Sequence, residues 1–465
     1  MKKIQAVIAV ALVLGALLLV ACDGNEYHDE EDSTVEESPD TGDDDSTPQV
    51  VVSGDLLPRD FKLPLPLFAP DSAWNQIALD AAVLPESDQQ ILSLYRVLLG
   101  DNSSLHPKTA EFTAPFMYLN YDDFSIPIYR ASDTEQAVLV CNYDGDLDYT
   151  NPKLPEASEN PGGPVMAPAP AVAVRPSGPQ GDYSDGHLVL FNPETFIAFD
   201  FWQATIVRDG ECQSQGGGLA GTSVLEAGTV DFFDVRGPGA NPVGYYSARA
   251  SGVPLLAGLL LPEDIESGAI EHALAVAFPS PRSVNGRNPS SEDIFYPASS
   301  VEVDFYDTNP FALAQGQRIR LKDLLVIADE AYGDTFGVTD AIAIDDLLVA
   351  PITHMFLTAL RTYGAYVLDA SGGLTFYAED IHSANLQLTD EEVNALIGQP
   401  LDAPLPTGLT KWQIVMEQLA EDLTSIPLAS GGSVPWWEYE STGRNPGNAT
   451  IGYSNFEVVE PATIP

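Results

Sequence analysis

The chain has 465 residues, and its 20 Lys and Arg against 68 Asp and Glu give a formal net charge of −48. Apolar residues make up 45% of the sequence and aromatic residues 9%, which is enough for a buried core and excludes a fully disordered chain. A negative field of this size repels phosphate backbones, so we expect no nucleic-acid partner.

The N-terminus predicts export and a lipid anchor. Lys2 and Lys3 precede an apolar stretch from 4 to 20, and this pattern predicts a signal peptide over residues 1–21. Residues 19–22 read Leu-Val-Ala-Cys and resemble the bacterial lipobox, whose cysteine is diacylated and becomes the mature N-terminus. We therefore expect lipidated Cys22 to hold the protein on a bacterial membrane. The outer membrane or the cell surface is favoured, because a long tether follows.

Residues 22–48 are predicted to form that tether. Twelve Asp or Glu lie between positions 23 and 48, and no apolar cluster accompanies them, so charge repulsion favours a disordered spacer. The remaining residues, 49–465, are predicted to form a single β-rich globular domain. A helical extension is expected from about residue 385, and the protein is expected to be a monomer.

Short strands dominate the predicted elements of this domain, and helices separate them. The predicted strands are 116–119, 126–129, 137–141, 187–191, 196–202, 229–235, 273–278, 318–321, 366–368 and 374–377. The predicted helices are 87–99, 262–274, 352–361, 390–396 and 411–423. With 37 Gly and 37 Pro, this pattern favours a mainly β (α+β) fold. We expect an antiparallel, β-rich, sandwich-like domain decorated by helices.

Several common chemical motifs are missing from the sequence. It contains no GxGxxG after a strand, no phosphate-binding P-loop, no HExxH and no GxSxG. These absences argue against nucleotide chemistry, zinc-protease chemistry and the nucleophile elbow of α/β-hydrolases.

Three alternating carboxylates could bind a cation. Asp144, Asp146 and Asp148 lie in one short segment, and carboxylates spaced in this way can converge on Ca²⁺. The segment lacks the glycine and the final glutamate of the usual calcium loop, so a solvated acidic turn is the alternative. The sequence establishes no cofactor, and Ca²⁺ is the one candidate that it suggests. Cys141 and Cys212 could form a disulfide in an exported protein, or they could remain reduced.

His187 and His272 are candidate catalytic histidines with acidic neighbours in the sequence. His187 follows Asp185 by two positions, and His272 follows Glu271 directly. A carboxylate beside an imidazole can orient the ring and make it more basic, as general acid–base catalysis requires. A structural histidine held by its own loop is the alternative at either position.

A series of short motifs resembles a family of secreted, largely uncharacterised bacterial proteins. Those proteins carry S-P-W-N-Q, L-H-P, G-D-R-H, G-L-P-I and G-x-I-x-H-A-L in one order. The matching segments here are 72–76, 105–107, 185–187, 252–255 and 268–274. Gly186 replaces the arginine of the third motif, and Val253 replaces the leucine of the fourth. The resemblance covers about residues 70–380 and implies one β-rich secreted domain. It singles out His106, Asp185, His187 and His272.

These features favour a surface enzyme that acts on extracellular polysaccharide. Its candidate catalytic residues are Asp185, His187, Glu271 and His272. Its candidate substrate-binding residues are Trp74, His106, Trp202, Arg318 and Arg320. The tryptophans would stack on sugar rings, and the arginines could neutralise a uronate in a lyase. Glycoside hydrolysis is favoured over elimination, because an acidic body repels polyuronates.

A glycan-binding lipoprotein without catalytic activity is the main alternative, and a structural surface protein is another. The same aromatic side chains would serve all three functions. Convergence of Asp185, His187 and His272 in one site would favour the enzyme.

Overall fold

Two β-sheets form the centre of the fold in the computed structural model. The structure describes residues 56–98, 117–140, 164–171, 174–177, 185–208, 223–283, 293–302, 307–328, 338–424, 426–427, 433–434, 437–440 and 450–462. These residues belong to one compact unit that extends over 49–465. Mainly β architecture with accompanying helices, as the sequence predicts, is confirmed.

The first sheet has six strands in the order β1-β14-β9-β13-β10-β19. Its strands are β1 (Met117–Asn120), β9 (Leu274–Ala277), β10 (Arg318–Leu321), β13 (Ala365–Asp369), β14 (Leu374–Tyr377) and β19 (Phe456–Val459). Two of its pairings, β1 with β14 and β9 with β13, are parallel. The sheet is therefore mixed rather than purely antiparallel.

The second sheet has seven strands, in the order β6-β7-β2-β4-β5-β8, with β3 also paired to β2. Its strands are β2 (Ile128–Val140), β3 (Pro164–Pro170), β4 (Leu188–Asn192), β5 (Ile197–Trp202), β6 (Thr205–Arg208), β7 (Ser223–Ala227) and β8 (Thr229–Asp234). The predicted hairpin of β4 and β5 is present, and its turn is closed by the Asn192 side chain, which accepts from the backbone of Glu194 and Thr195. The strands predicted at 126–129 and 137–141 are parts of the single strand β2.

Three two-stranded ribbons complete the strands of the described residues. They are β11 (Leu324–Ala328) with β12 (Val338–Ala343), β15 (Ile426–Pro427) with β16 (Ser433–Val434), and β17 (Trp437–Glu440) with β18 (Thr450–Ser454). The helices are α1 (Ser87–Leu98), α2 (Pro262–Ser267), α3 (Pro351–Thr362), α4 (Asp390–Leu396) and α5 (Lys411–Asp422), with 3₁₀ turns at Ala73–Asn75 and Ile344–Asp346.

Local sequence explains where the helices begin and end. α4 starts at a capping box, in which the Thr389 hydroxyl accepts from the Glu392 backbone and the Glu392 carboxylate accepts from the Thr389 backbone. α2 starts with Pro262 and ends at Gly268, whose φ of 82° breaks the helical path. Gly268 therefore makes α2 shorter than the helix predicted over 262–274.

Alternating side chains place two apolar layers on opposite faces of each sheet. In β4, Val189 and Phe191 join the layer between the sheets, whereas Leu188 and Leu190 join a smaller cluster on the other face. In β9, Ala275 and Ala277 join the layer between the sheets. The outer face of the six-stranded sheet packs against the helices, including Phe356 of α3. Because alternate residues of each strand face the layer between the two sheets, the fold resembles a β-sandwich.

The C-terminal part from residue 385 contains helices and strands. α4 and α5 pack on the six-stranded sheet, and β19 pairs with β10 at the edge of that sheet. The part predicted as a helical extension is therefore built into the main core. Among the described residues, the helices are too short or too polar to cross a bilayer.

A buried ion network fastens the N-terminal segment to this core. Arg59 is 4% exposed and makes paired hydrogen bonds to Glu263, at 2.6 and 2.5 Å, and to Glu379, at 2.8 and 2.9 Å. Burial raises the pKa of Glu379 to about 7, although Arg59 acts against that change. Every guanidinium nitrogen of Arg59 has an acceptor, so burial leaves no donor of this group unsatisfied.

Candidate functional site

Asp185 and His187 lie immediately before β4, in a segment that pairs with the end of β5. The Gln203 backbone N–H donates to the Asp185 carbonyl at 2.8 Å, and the Ala204 N–H donates to the Gly186 carbonyl at 2.9 Å. Gly186 has a φ of 49°, and a Cβ there would lie 2.9 Å from the Ala204 nitrogen. Glycine is therefore required between the two candidate residues.

His187 is buried and is neutral near pH 7. Its side chain is 2% exposed, and its backbone N–H donates to the Ser177 hydroxyl at 3.0 Å. Burial is the main cause that lowers the pKa of His187 to about 4, and Arg249 adds to this effect against the opposing charge of Asp185. The Nδ1 atom is buried and has no hydrogen-bond partner among the described residues.

Arg249 is fully buried beside this histidine. Its Nη1 donates to the Ala257 carbonyl at 3.0 Å, and its Cζ lies 4.8 Å from the centre of the Tyr377 ring. Burial lowers the pKa of Arg249, with Tyr377 and Asp369 acting in the opposite direction. The Nε and Nη2 atoms have no hydrogen-bond partner among the described residues, in contrast to the fully paired Arg59.

Asp369 and Tyr377 contribute from the six-stranded sheet. Asp369 is the last residue of β13, and Tyr377 is the last residue of β14. Burial, followed by the charge of Asp185, raises the pKa of Asp369 to about 8; Glu302 adds to the effect and Arg249 opposes it. Burial also raises the pKa of Tyr377 well above its usual 10. Asp369 is therefore mostly protonated at neutral pH.

These residues influence one another electrostatically, and we call them the coupled site and divide them into two parts by their exposure. The acidic rim consists of Asp185, Glu302 and Asp369, which are all partly exposed. The buried floor consists of His187, Arg249 and Tyr377, which are 2%, 0% and 5% exposed. A cluster of buried groups with strongly shifted pKa values is typical of sites that bind or transform a ligand.

His272 has a different environment and all its ring nitrogens are engaged. Its Nε2 lies 3.2 Å from Asp264 Oδ2, and its Nδ1 lies 2.9 Å from the Ala273 carbonyl. Burial lowers the pKa of His272, but the charge and hydrogen bond of Asp264 outweigh burial, so the net change is upward. The same Asp264 oxygen accepts from the Leu261 N–H at the start of α2. His272 therefore stabilises the start of this helix.

The predicted catalytic set divides between these two places. Asp185 and His187 lie in the coupled site, whereas His272 pairs with Asp264 and the Glu271 side chain is exposed. The charges of Asp185 and Arg249 act on the pKa of His187, whereas the charge of Asp264 acts on the pKa of His272. His272 precedes the start of β9, whereas Asp369, on which Asp185 acts, ends the parallel strand β13, so His272 and Asp369 lie at opposite ends of these strands.

The two predicted sugar-stacking tryptophans are not equally available. Trp74 is 1% exposed, donates from Nε1 to the Gly239 carbonyl at 2.8 Å, and meets the Tyr366 ring edge-on at 5.1 Å. Neither face of Trp74 can therefore stack on a sugar. Trp202, at the end of β5, is partly buried and packs against the layer between the sheets.

Arg318 and Arg320 are committed to structure. Arg318 is 2% exposed and donates to the carbonyls of Tyr363, at 2.6 Å, and Gln76. Arg320 donates to Glu457 at 2.7 Å and to the Leu79 carbonyl at 2.6 Å. Both arginines hold the segment around residues 76–79 against β10, so they do not offer a charge to a uronate.

The other predicted positions lie outside the described residues. They are Cys22, His106, Cys141, Asp144, Asp146, Asp148 and Cys212. Their lipidation, metal-binding, substrate-binding and disulfide roles remain predictions. In the part of the chain that the structure describes, no group of three or more His, Cys, Asp and Glu is arranged to hold a metal ion.

Sequence reasoning missed four members of the coupled site. Arg249 lies three residues before the Gly252 motif, Asp369 ends a run of apolar strand residues, and Tyr377 ends β14. A carboxylate at the end of a buried strand is a signal that could have been noticed for Asp369. Nothing local in the sequence marks Glu302.

Comparisons with protein-family models, with curated proteins and with solved structures gave no match to this chain.

Proposed function

We propose that this protein is a lipid-anchored enzyme of the bacterial cell surface that hydrolyses glycosidic bonds in extracellular polysaccharide. The observation that carries the proposal is the coupling of two acidic groups, Asp369 with a pKa of about 8 and its neighbour Asp185. Glycoside hydrolysis needs one protonated and one ionised carboxyl group on either side of the scissile bond.

The environments of the two carboxyl groups support this division of roles. Asp369 keeps its proton at neutral pH and would donate it to the leaving oxygen of the glycosidic bond. Asp185 would supply the carboxylate that either activates water or attacks the sugar. Asp185 and Asp369 are both partly exposed residues. Since no proton has to be taken from bulk solvent, the pair is ready for acid-assisted cleavage near neutral pH.

The buried floor would hold the pair in position. Arg249 lies against the Tyr377 ring and interacts with Asp369, which limits the repulsion among the three acidic groups of the rim. His187 stays neutral and therefore adds no positive charge that would ionise Asp369. This assignment keeps Asp185 and His187 of the sequence-based set and replaces Glu271 and His272 with Asp369.

Incubation of the purified protein with a panel of polysaccharides, with and without Ca²⁺, tests the proposal by release of reducing ends. The panel would contain neutral glucans, xylans and mannans, together with polyuronates. We expect cleavage of at least one polymer, and at least about a 100-fold loss of turnover in Asp369→Asn and Asp185→Asn. Unsaturated products from a polyuronate would instead identify a lyase.

Asp307→Asn is the matched control. Asp307 is also a partly exposed carboxyl whose pKa is raised by burial, but the charges that act on it do not include the rim or the floor. The turnover of Asp307→Asn should stay within twofold of the turnover of the parent protein. Binding of a polysaccharide without cleavage under any condition would overturn the enzymatic proposal and favour a glycan-binding protein.

A further inference from the structure

Strand β13 carries one residue more than its pairing with β9 requires. Val367 pairs with Val276, but the next residue of β9, Ala277, pairs with Asp369. Leu368 is therefore an extra residue in the register of the two strands. Two residues of one strand that oppose a single residue of its neighbour form a β-bulge.

The bulge changes the face of the sheet on which Asp369 lies. Val367 belongs to the apolar cluster on the helix side of the sheet, and Leu368 belongs to the layer between the sheets. Regular alternation would return Asp369 to the helix side, opposite Phe278, which is a member of that apolar cluster. Asp369 pairs instead with Ala277, which faces the layer between the sheets. Because paired residues of neighbouring strands lie on the same face, Asp369 faces this layer too.

Hydrogen bonds show that the pairing of β13 with β9 continues past the extra residue. The Phe278 N–H donates to the Asp369 carbonyl, and the Ser371 N–H donates to the Phe278 carbonyl, both at 3.3 Å. The Ala370 N–H donates to Asp369 Oδ1 at 3.2 Å. Asp369 is therefore held by β9 after the bulge, and the register of the strands sets its face.

The charges that act on Asp369 agree with this face. Burial is the largest cause that raises the pKa of Asp369 to about 8; Asp185 adds to the effect and Arg249 opposes it. The Arg249 Cζ lies 4.8 Å from the ring centre of Tyr377, and Tyr377 belongs to the layer between the sheets. A carboxyl turned to the helix side would instead lie among the apolar side chains of that cluster.

We infer that Leu368 positions the candidate general acid: as the extra residue of this β-bulge, it turns the carboxyl of Asp369 from the helix side of the sheet into the layer between the two sheets. The catalytic part of this inference rests on the proposed function, which makes Asp369 the acid. Leu368 is a positioning residue, because it acts through Asp369. Bulges beside active sites commonly redirect a side chain in this way.

Two exchanges of neighbouring residues test this role. Leu368→Asp/Asp369→Leu moves the carboxyl back by one residue, across the bulge. Asp369→Ala/Ala370→Asp moves it forward by one residue, where regular alternation resumes. The bulge predicts that the first exchange keeps the carboxyl in the layer between the sheets and that the second turns it away. In a strand without a bulge, both exchanges would turn it to the other face.

Deletion of Leu368 is a second route to the same test. The first exchange places a carboxyl at a fully buried apolar position, which destabilises the fold. Deletion removes the extra residue and leaves Asp369 opposite Ala277 in a regular strand, so the carboxyl should stay on the same face. Urea denaturation shows which variants are folded.

Carbon-13 NMR of the full chain with labelled aspartate carboxyls measures the position of the carboxyl without any need for turnover. The Asp369 signal is identified by its loss in Asp369→Asn. Because the charge of Asp185 raises the pKa of Asp369, Asp185→Asn should lower the titration midpoint in the parent protein, in the first exchange and after deletion of Leu368. The midpoint should not respond in the second exchange. Turnover of a cleaved polysaccharide should exceed that of Asp369→Asn at least about tenfold in the first exchange, but not in the second.

The outcomes separate this inference from the proposed function. No response in the parent protein, or the same response in both exchanges, overturns the positioning role even if the parent protein cleaves a polysaccharide. If the first exchange does not fold, loss of the response after deletion of Leu368 overturns it. If neither of these variants folds, a response of the second exchange as large as that of the parent overturns it. The expected order of responses, in a parent protein that cleaves nothing, supports the placement of Asp369 and overturns the hydrolase.

Discussion

Arg59 and Arg249 are both buried cations, but they differ in how many of their guanidinium nitrogens are hydrogen-bonded. Arg59 donates to two glutamates and a backbone carbonyl, so every nitrogen of its guanidinium is satisfied. Arg249 has one carbonyl partner and two unpaired nitrogens beside a neutral histidine. The first arrangement holds a chain segment in place. The second leaves two buried nitrogens of the guanidinium without a partner among the described residues.

The largest effect on stability is expected when Arg59 is removed. Arg59→Met leaves Glu263 and Glu379 buried without a counter-ion, and breaking a buried pair in this way costs about 3–5 kcal/mol of unfolding free energy. Urea denaturation measures this loss. Lys62→Met is the control, because the exposed Lys62–Glu266 pair should contribute less than about 1 kcal/mol. Similar losses for the two variants would show that the Arg59 network does not fasten the fold.

Asp369 should make stability depend on pH. Its pKa is raised from 3.8 to about 8 in the folded protein, so between these pH values the folded state holds a proton that the unfolded state releases. The free energy of unfolding should fall as pH rises through this window, by at most about 1.4 kcal/mol per pH unit, and should level off above pH 8.

Denaturation of the parent protein and of Asp369→Asn from pH 5 to pH 9 isolates this contribution. Glu379, whose pKa is raised to about 7, adds a slope of the same sign to both proteins and cancels in the difference. The free energy of unfolding of Asp369→Asn, relative to that of the parent protein, should increase as pH rises. Parallel curves would show that Asp369 is ionised throughout the range.

Smaller effects are expected at His272 and Glu271. His272→Gln loses the contact with Asp264 and should cost about 1–2 kcal/mol of stability. Because the pKa of His272 is raised, this loss should be full below about pH 6.5 and should shrink as pH rises through the folded-state pKa. Glu271→Gln changes an exposed side chain and should shift stability by less than about 0.5 kcal/mol.

Turnover distinguishes these two residues from the coupled site. Both variants should cleave polysaccharide within twofold of the parent rate. A loss as large as that of Asp369→Asn at either position would return it to the catalytic set that the sequence predicted.

Local patterns predicted most of the fold. The bounds of β10, β14 and α4 match the predicted elements, because strand alternation and a capping box are encoded within a few residues. The β4–β5 hairpin was predicted for the same reason, from its apolar runs and the turn at Asn192. The end of α2 was missed, although Gly268 is the residue type that commonly ends a helix.

The candidate site could be predicted only in part. Asp185 and His187 are neighbours in sequence, so a motif revealed them. Asp369 comes from a different sheet, and its interaction with Asp185 depends on how the two sheets pack. The burial of Trp74 could not be predicted either, because the surrounding sequence does not reveal whether its ring faces solvent or the core. Long-range packing decides both questions.

The pH dependence of kcat/KM on a cleaved polysaccharide tests the central claim most directly. If protonated Asp369 is the general acid, the rate should fall above about pH 8, and Asp307→Asn should show the same alkaline limb. A rate that stays constant from pH 7 to pH 10, or an alkaline limb that persists unchanged in Asp369→Asn, would contradict the assignment of Asp369 and the site built around it.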